Sequence, residues 1–246
     1  MTPAGCISGI LRSARQTGVR RFALSAFLVL LSSLRLSAAD STLAHPAQVA
    51  ADAKEGNALQ TAVLAGGCFW GMQAVFEHVK GVRGVLAGYS GGQAATAHYY
   101  VVGTGKTGHA EAVQITFDPR EVSYGEILRV FFSVAHDPTQ LDRQGPDVGS
   151  QYRSVIFYAN EAQRRMALAY ISQLDRSKFF PQPIVTRVDA FRGFYPAEGY
   201  HQDYLVHNLT DPYIVYNDLP KLARFRALLP QLYREQPSLV TVKTRR

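Results

Sequence analysis

A short apolar run at residues 61–65 is halted by Gly66-Gly67, after which Trp70, Ala74, Val75 and Val79 recur at helical spacing. That change of period, from an extended run to a helical stripe across two glycines, dictates a strand, a tight turn and a helix. It also puts Cys68 at the start of the helix. The segments that follow extend the pattern. Residues 82–89 read as a second strand, and in 111–117 the side chains of Val113, Ile115 and Phe117 share one face, as a half-buried third strand requires. Ser123-Tyr124-Gly125-Glu126 has the form of a capping box and predicts a helix running to about residue 135. Residues 154–158 predict a further strand, Asn160 caps a long helix to about residue 174, and 184–188 suggest the last strand. Short helices are expected over 200–206 and 219–232. Strands and helices in this order predict an α+β fold, a mixed sheet with helices packed on it in a two-layer sandwich. Loops 88–109 and 136–152 are long and rich in Gly, Tyr, His and Asp, a composition that on a rigid scaffold is where function usually resides.

The chain has 246 residues and a formal charge of +7, but five of its 26 basic residues and none of its 19 acidic ones fall in residues 1–39. The remainder is therefore nearly neutral, and nucleic-acid binding is not expected. Residues 1–39 carry arginines up to Arg21, then an apolar run from Phe22 to Leu34, then Ser37-Ala38-Ala39, the small-x-small form of a cleavage site. A cleaved leader at 1–39 is expected, with export to a bacterial periplasm. The alternatives are a membrane anchor left by an uncleaved leader and a mitochondrial transit peptide. The apolar run is shorter than the roughly 20 residues a membrane span needs, so no stable membrane insertion is expected after leader removal. Residues 40–60 read as a linker, 61–233 as one catalytic domain and 234–246 as a basic C-terminal tail.

Cys6 and Cys68 are the two cysteines, and removal of the leader takes Cys6 with it. A single remaining cysteine closes no intrachain disulfide and leaves a free thiol to be explained. At a helix N-terminus, unpaired N–H groups and the helix dipole favour thiolate over thiol, which predicts a lowered pKa and a nucleophile. The adjacent Phe69 and Trp70 supply aromatic surface beside the sulfur. The bland alternative is a buried cysteine among core aromatics; the flanking glycines argue against it. Five histidines, His98, His109, His136, His201 and His207, show neither HExxH spacing nor a paired CxxC, so no metal is expected. Gly105-Lys106-Thr107 imitates the end of a phosphate-binding loop, but Tyr100 stands where that motif needs glycine.

Gly67-Cys68-Phe69-Trp70-Gly71 resembles the signature of the peptide-methionine sulfoxide reductase A family. The resemblance continues in order through Gly88-Tyr89-Ser90-Gly91-Gly92, Thr107-Gly108-His109-Ala110-Glu111, His136-Asp137-Pro138, Gln144 to Gly149, Gln151-Tyr152-Arg153-Ser154, His201-Gln202-Asp203-Tyr204 and Tyr213-Ile214-Val215. It implies that Cys68 attacks the sulfoxide sulfur and becomes a sulfenic acid, and that Glu111 is the acid that protonates the departing oxygen. It further implies that Tyr99 and Tyr152 hydrogen-bond that oxygen, that Phe69 and Trp70 hold the methyl group, and that Asp147 supports the site by ordering water or the tyrosines. Substrates would be methionine-S-sulfoxide in oxidised proteins and in free form, with no cofactor and a monomeric enzyme. Many members of that family carry further cysteines near the C-terminus, whereas residues 200–246 hold none. The chain therefore resembles a single-cysteine subgroup, resolved by an external thiol such as thioredoxin, glutaredoxin with glutathione, or dithiothreitol. Two other functions fit a lone reactive cysteine: a thiol hydrolase or transferase with a histidine base, and a non-catalytic methionine-binding module.

Overall fold

The structure, a computed structural model, describes residues 58–240. The leader with Cys6 and its cleavage site, residues 40–57 of the linker, and the basic residues Lys243, Arg245 and Arg246 lie outside the described residues. Strand β1 (Gln60–Ala65) runs into the glycine pair, and helix α1 (Phe69–Glu77) starts immediately after it with Cys68 as its N-cap. Gly67 has φ +95°, in the left-handed region, and a Cβ there would meet the Gln144 side chain at 2.5 Å. Only glycine meets both conditions, so the turn that presents Cys68 depends on it.

The sheet is built from β1, β2 (Val82–Ser90), β3 (Ala110–Phe117), β6 (Val155–Tyr158), β7 (Arg187–Ala190) and β8 (Phe194–Pro196), in the order β7-β6-β1-β3-β2-β8. Every pairing is antiparallel except β6 with β7, so the sheet is mixed and the α+β class is confirmed. Between these strands lie α2 (Tyr99–Val102), α3 (Tyr124–Val130), a small hairpin of β4 (Arg143–Gln144) and β5 (Asp147–Val148), and α4 (Glu161–Arg176). After β8 come α5 (Tyr204–His207) and α6 (Leu219–Leu228).

Strand alternation decides which side chains meet the helices. Ala62 and Leu64 of β1, and Val113, Ile115 and Phe117 of β3, join the main core with Phe69, Met72, Val75 and Phe76 of α1. Val63, Ala65, Ala110 and Ala112 form a smaller cluster with Val155 and Phe157 on the opposite face. Glu111 has the parity of Val113 and so lies on the helix-covered face, 3% exposed.

Several elements differ from expectation. The strand predicted at 184–188 lies instead at Arg187–Ala190: the Val185 N–H is taken by the Pro138 carbonyl, and pairing with β6 begins only at Arg187, opposite Val155. The helix predicted to residue 135 is α-helical to Val130 and then widens into a π turn, Phe131–Ala135, and a second π turn, Ile214–Asp218, leads into α6. The segment 200–206 splits into a single 3-10 turn, Gly199–His201, and α5. Residues 234–240, at the start of the expected tail, are tied to the domain. The Arg234 N–H donates to the His78 carbonyl at 2.8 Å, Ser238 N–H to the Glu77 carbonyl at 2.9 Å, and Val240 N–H to Asp203 Oδ1 at 3.1 Å.

Candidate active site

The Phe69 N–H, the first of α1, donates to Glu111 Oε2 at 3.1 Å, which joins β3 to the helix start beside Cys68. The helix consequently offers its positive end to a carboxyl group. Burial raises the Glu111 pKa to about 8, with Asp147 adding to the rise and the Phe69 N–H opposing it. At neutral pH Glu111 is a neutral acid.

The structure corrects the expectation for Cys68. The Trp70 N–H and Lys221 do favour thiolate, but burial, followed by the nearby Glu111 and Asp218 carboxyls, outweighs them and pushes the thiol well above its ordinary range. The cysteine is 8% exposed, and an anion so far from water costs more than a helix end returns. The resting site therefore holds a thiol and a carboxylic acid, both protonated.

Two tyrosines lie near enough to this pair for its charges to act on their phenols. Tyr99 opens α2, and its N–H donates to Glu198 Oε1 at 3.0 Å, while Glu198 Oε2 accepts the Tyr89 hydroxyl at 2.8 Å. Tyr89 stands opposite Glu111 in the β2–β3 register, so this relay ties the Tyr99 backbone to the sheet. Tyr152 ends a single 3-10 turn, Ser150–Tyr152. Burial, then Glu111 and Cys68, raises the Tyr99 phenol to about 12. Burial, then Glu111, Asp147 and Cys68, raises Tyr152 as well. Both hydroxyls keep their protons and remain donors. Asp147, in β5, accepts a short hydrogen bond from Tyr213, so the tyrosine it holds is neither Tyr99 nor Tyr152.

Phe69 is buried among Tyr89 and His201, with ring centroids at 5.8 and 5.0 Å. Trp70 stacks on Tyr204 at 3.8 Å, meets Tyr213 edge-on at 5.8 Å and donates its indole N–H to His201 Nδ1 at 3.1 Å. Burial holds His201 neutral, and because Nδ1 accepts, Nε2 carries the proton. A cavity of about 180 Å³ opens on Cys68, walled by Gln144, Asp147, Tyr213, Tyr216 and Lys221; of the other predicted residues, Phe69, Trp70, Tyr99, Glu111 and Tyr152 do not line it. A larger cavity, about 650 Å³, lies elsewhere, by Lys106, Arg153 and Arg187, and contains none of the predicted residues.

The family model described as peptide methionine sulfoxide reductase matches residues 60–231. The chain belongs to this family. Among curated relatives, peptide methionine sulfoxide reductase MsrA 2 of Mesorhizobium japonicum is 58% identical over 189 residues, covering 77% of this chain and 97% of its own. MsrA 2 of Synechocystis sp. is 56% identical over 167 residues, 68% of this chain and 78% of its own. Of solved structures, methionine sulfoxide reductase A of Corynebacterium diphtheriae superposes with a TM-score of 0.55 at 31% identity, over 64% of this chain and 78% of that one. Reduced Mxr1 of Saccharomyces cerevisiae gives 0.57 at 29% identity, over 62% and 87%.

In this member of the methionine sulfoxide reductase family, several residues of the site escaped the sequence. Asp218 is fully buried, ion-paired to Lys221 at 3.0 Å, and close enough to Cys68 to raise its thiol. Its second oxygen has no hydrogen-bond partner among the described residues. Gly71 makes room for this pair, since a Cβ there would lie 2.0 Å from Asp218 Oδ1. The i,i+3 spacing of Asp218 and Lys221 around Pro220, at the start of α6, was the available signal. Tyr213 and His201 stand in two of the segments that carry the family resemblance but were given no role, and Glu198 carried no local pattern.

Proposed function

We propose that this chain reduces methionine-S-sulfoxide, free and in proteins, with Cys68 as the nucleophile, Glu111 as the acid and an external thiol as the final reductant. The observation that carries this reading is the buried Glu111 carboxyl, neutral up to about pH 8 and hydrogen-bonded to the N–H next to Cys68. A sulfoxide oxygen leaves only if it gains a proton as its bond to sulfur breaks, and a neutral carboxylic acid in a dry site supplies one.

The Cys68 sulfur bonds to the sulfoxide sulfur while the Glu111 proton passes to the sulfoxide oxygen, and the thiol proton returns Glu111 to its neutral form. The S–O bond and the new S–S bond then break as the hydroxyl passes to the Cys68 sulfur, and methionine departs, leaving a sulfenic acid. Throughout, Cys68 and Glu111 are never both charged. Tyr99 and Tyr152, both protonated donors, are suited to hydrogen-bond the oxygen as charge develops on it. Lys221, on the wall of the Cys68 cavity, favours the thiolate when it forms.

Cys68 has no second cysteine to resolve its sulfenic acid among residues 58–246. An incoming thiol therefore forms a mixed disulfide and releases water, and a second thiol frees Cys68. The test is methionine formation from separate S- and R-epimers of a methionine sulfoxide peptide with dithiothreitol, using wild type and Cys68→Ser. Turnover of the S-epimer by wild type alone is expected; turnover by Cys68→Ser, or none by a folded wild type, overturns the reading.

A further inference from the structure

The cavity over Cys68 has a larger neighbour. Gln144 and Lys221, which wall it, also wall a second cavity of about 450 Å³ lined by Phe132, Val134, Phe180 and Arg224. Phe180 and Pro181 are shared in turn with a third cavity of about 470 Å³ that reaches Lys178 and Gln182. Each cavity shares lining residues with the next, so the three lie side by side as a run of hollows, a furrow that starts at Cys68.

The second cavity has an apolar floor and one unpaired cation. Phe132 and Val134 belong to the buried core, and Phe180 packs against it. Lys221 is neutralised by Asp218, and Asp137, the one carboxylate of the lining, keeps its charge and is held by hydrogen bonds from Thr139 and Gln140. Arg224 is exposed and forms no ion pair among the described residues. An apolar floor beside a free guanidinium suits an extended polypeptide bearing an apolar side chain and a carboxylate.

We propose that this furrow seats the polypeptide flanking the oxidised methionine, with an apolar residue against Phe132, Val134 and Phe180 and an acidic residue against Arg224. The proposal rests on the reductase reading and adds a substrate class to it: methionine sulfoxide in segments with an apolar and an acidic neighbour. Binding energy from this remote contact raises kcat/KM for such segments over free sulfoxide.

The experiment compares kcat/KM, with dithiothreitol as reductant, for N-acetylmethionine sulfoxide and for peptides with a Phe-Asp, Phe-Lys or Ser-Ser pair placed before or after methionine-S-sulfoxide. The variants are Phe180→Ala and Arg224→Glu. Wild type should favour the Phe-Asp peptide over Ser-Ser by about tenfold in one of the two placements, the scale of a single apolar pocket contact. Phe180→Ala should erase that preference, and Arg224→Glu, an exposed change that leaves the core intact, should transfer it to Phe-Lys. N-acetylmethionine sulfoxide should be reduced at an unchanged rate by both variants. Equal rates for all peptides, or variants that change only the KM for a thioredoxin-type protein reductant, would overturn the proposal and give the furrow to the reductant. Failure of wild type on N-acetylmethionine sulfoxide itself would instead refute the reductase reading, so the two failures are distinct.

Discussion

At Glu111 a single carboxyl meets opposed demands, since burial favours its protonated form and the Phe69 N–H favours its charge; burial prevails and the pKa stands near 8. If Glu111 is the acid, the reduction step should be level below pH 8 and fall about tenfold per unit above it. Glu111→Gln should slow that step by about 10²- to 10⁴-fold, the usual range for losing a general acid, and abolish the alkaline decline while leaving substrate affinity in place. Single-turnover methionine release across pH 6–10 checks both, and an alkaline decline that survives in the glutamine variant would assign it to another group. The same residue shows what could be read locally. Its place in an alternating strand was visible and its role as an acid followed from the family resemblance; what keeps it protonated was not visible, because the desolvation comes from α1 folding over it. Cys68 is the complementary case. Its helix-start position was legible, but the sign of its pKa shift was not, since Asp218 lies 150 residues away in sequence.

Where an element's ends are specified by its own side chains, sequence predicts it well. Ser123 Oγ accepts the Glu126 N–H at 3.2 Å and Glu126 Oε2 accepts the Ser123 N–H at 2.8 Å, the capping box expected before α3. Asn160 likewise accepts the Gln163 N–H at 2.9 Å and starts α4. Ser123→Ala should therefore cost about 1 kcal/mol, read as a lower denaturant midpoint at unchanged slope, with little effect on turnover. The strand predicted at 184–188 fails for the opposite reason. Its apolar residues fit a strand, but which of them pair is decided by β6 and by Pro138, neither of which is adjacent in sequence. The two π turns are equally nonlocal. Both sit beside the site, one ending before His136 and the other at Asp218, where an extra residue in the turn re-aims the chain.

For the molecule as a whole, buried acids set the pH range of stability. Glu77, at the end of α1, is buried with no hydrogen-bond partner of good geometry among the described residues. Burial, with Asp203 opposing a second charge, raises it to about 9, while Arg234 lowers it. A folded pKa above the unfolded value of 4.5 means that the full contribution to stability is present below pH 4.5 and is lost as pH rises through 9. Glu111 adds the same sign through pH 8. Thermal stability should therefore decline from pH 5 to pH 9, and Glu77→Gln should raise Tm by more at pH 8.5 than at pH 5; an equal gain at both pH values would show that Glu77 is not the group titrating. The segment 234–240 lies over this region, bound to the Glu77 and His78 carbonyls and to Asp203, which composition alone reads as a solvated tail. By itself the sequence determined the periodicities, the glycine turn, the helix caps and the ordered motifs, and from these the fold class, the family and the placement of Cys68, because each is set by residues close together in the chain. The tertiary structure alone decided the sign of the Cys68 shift, the desolvation of Glu111, the Asp218–Lys221 pair, the Tyr213–Asp147 contact and the adjoining cavities that meet at Gln144. Those depend on desolvation and on partners brought together from distant parts of the chain, and no local pattern records either.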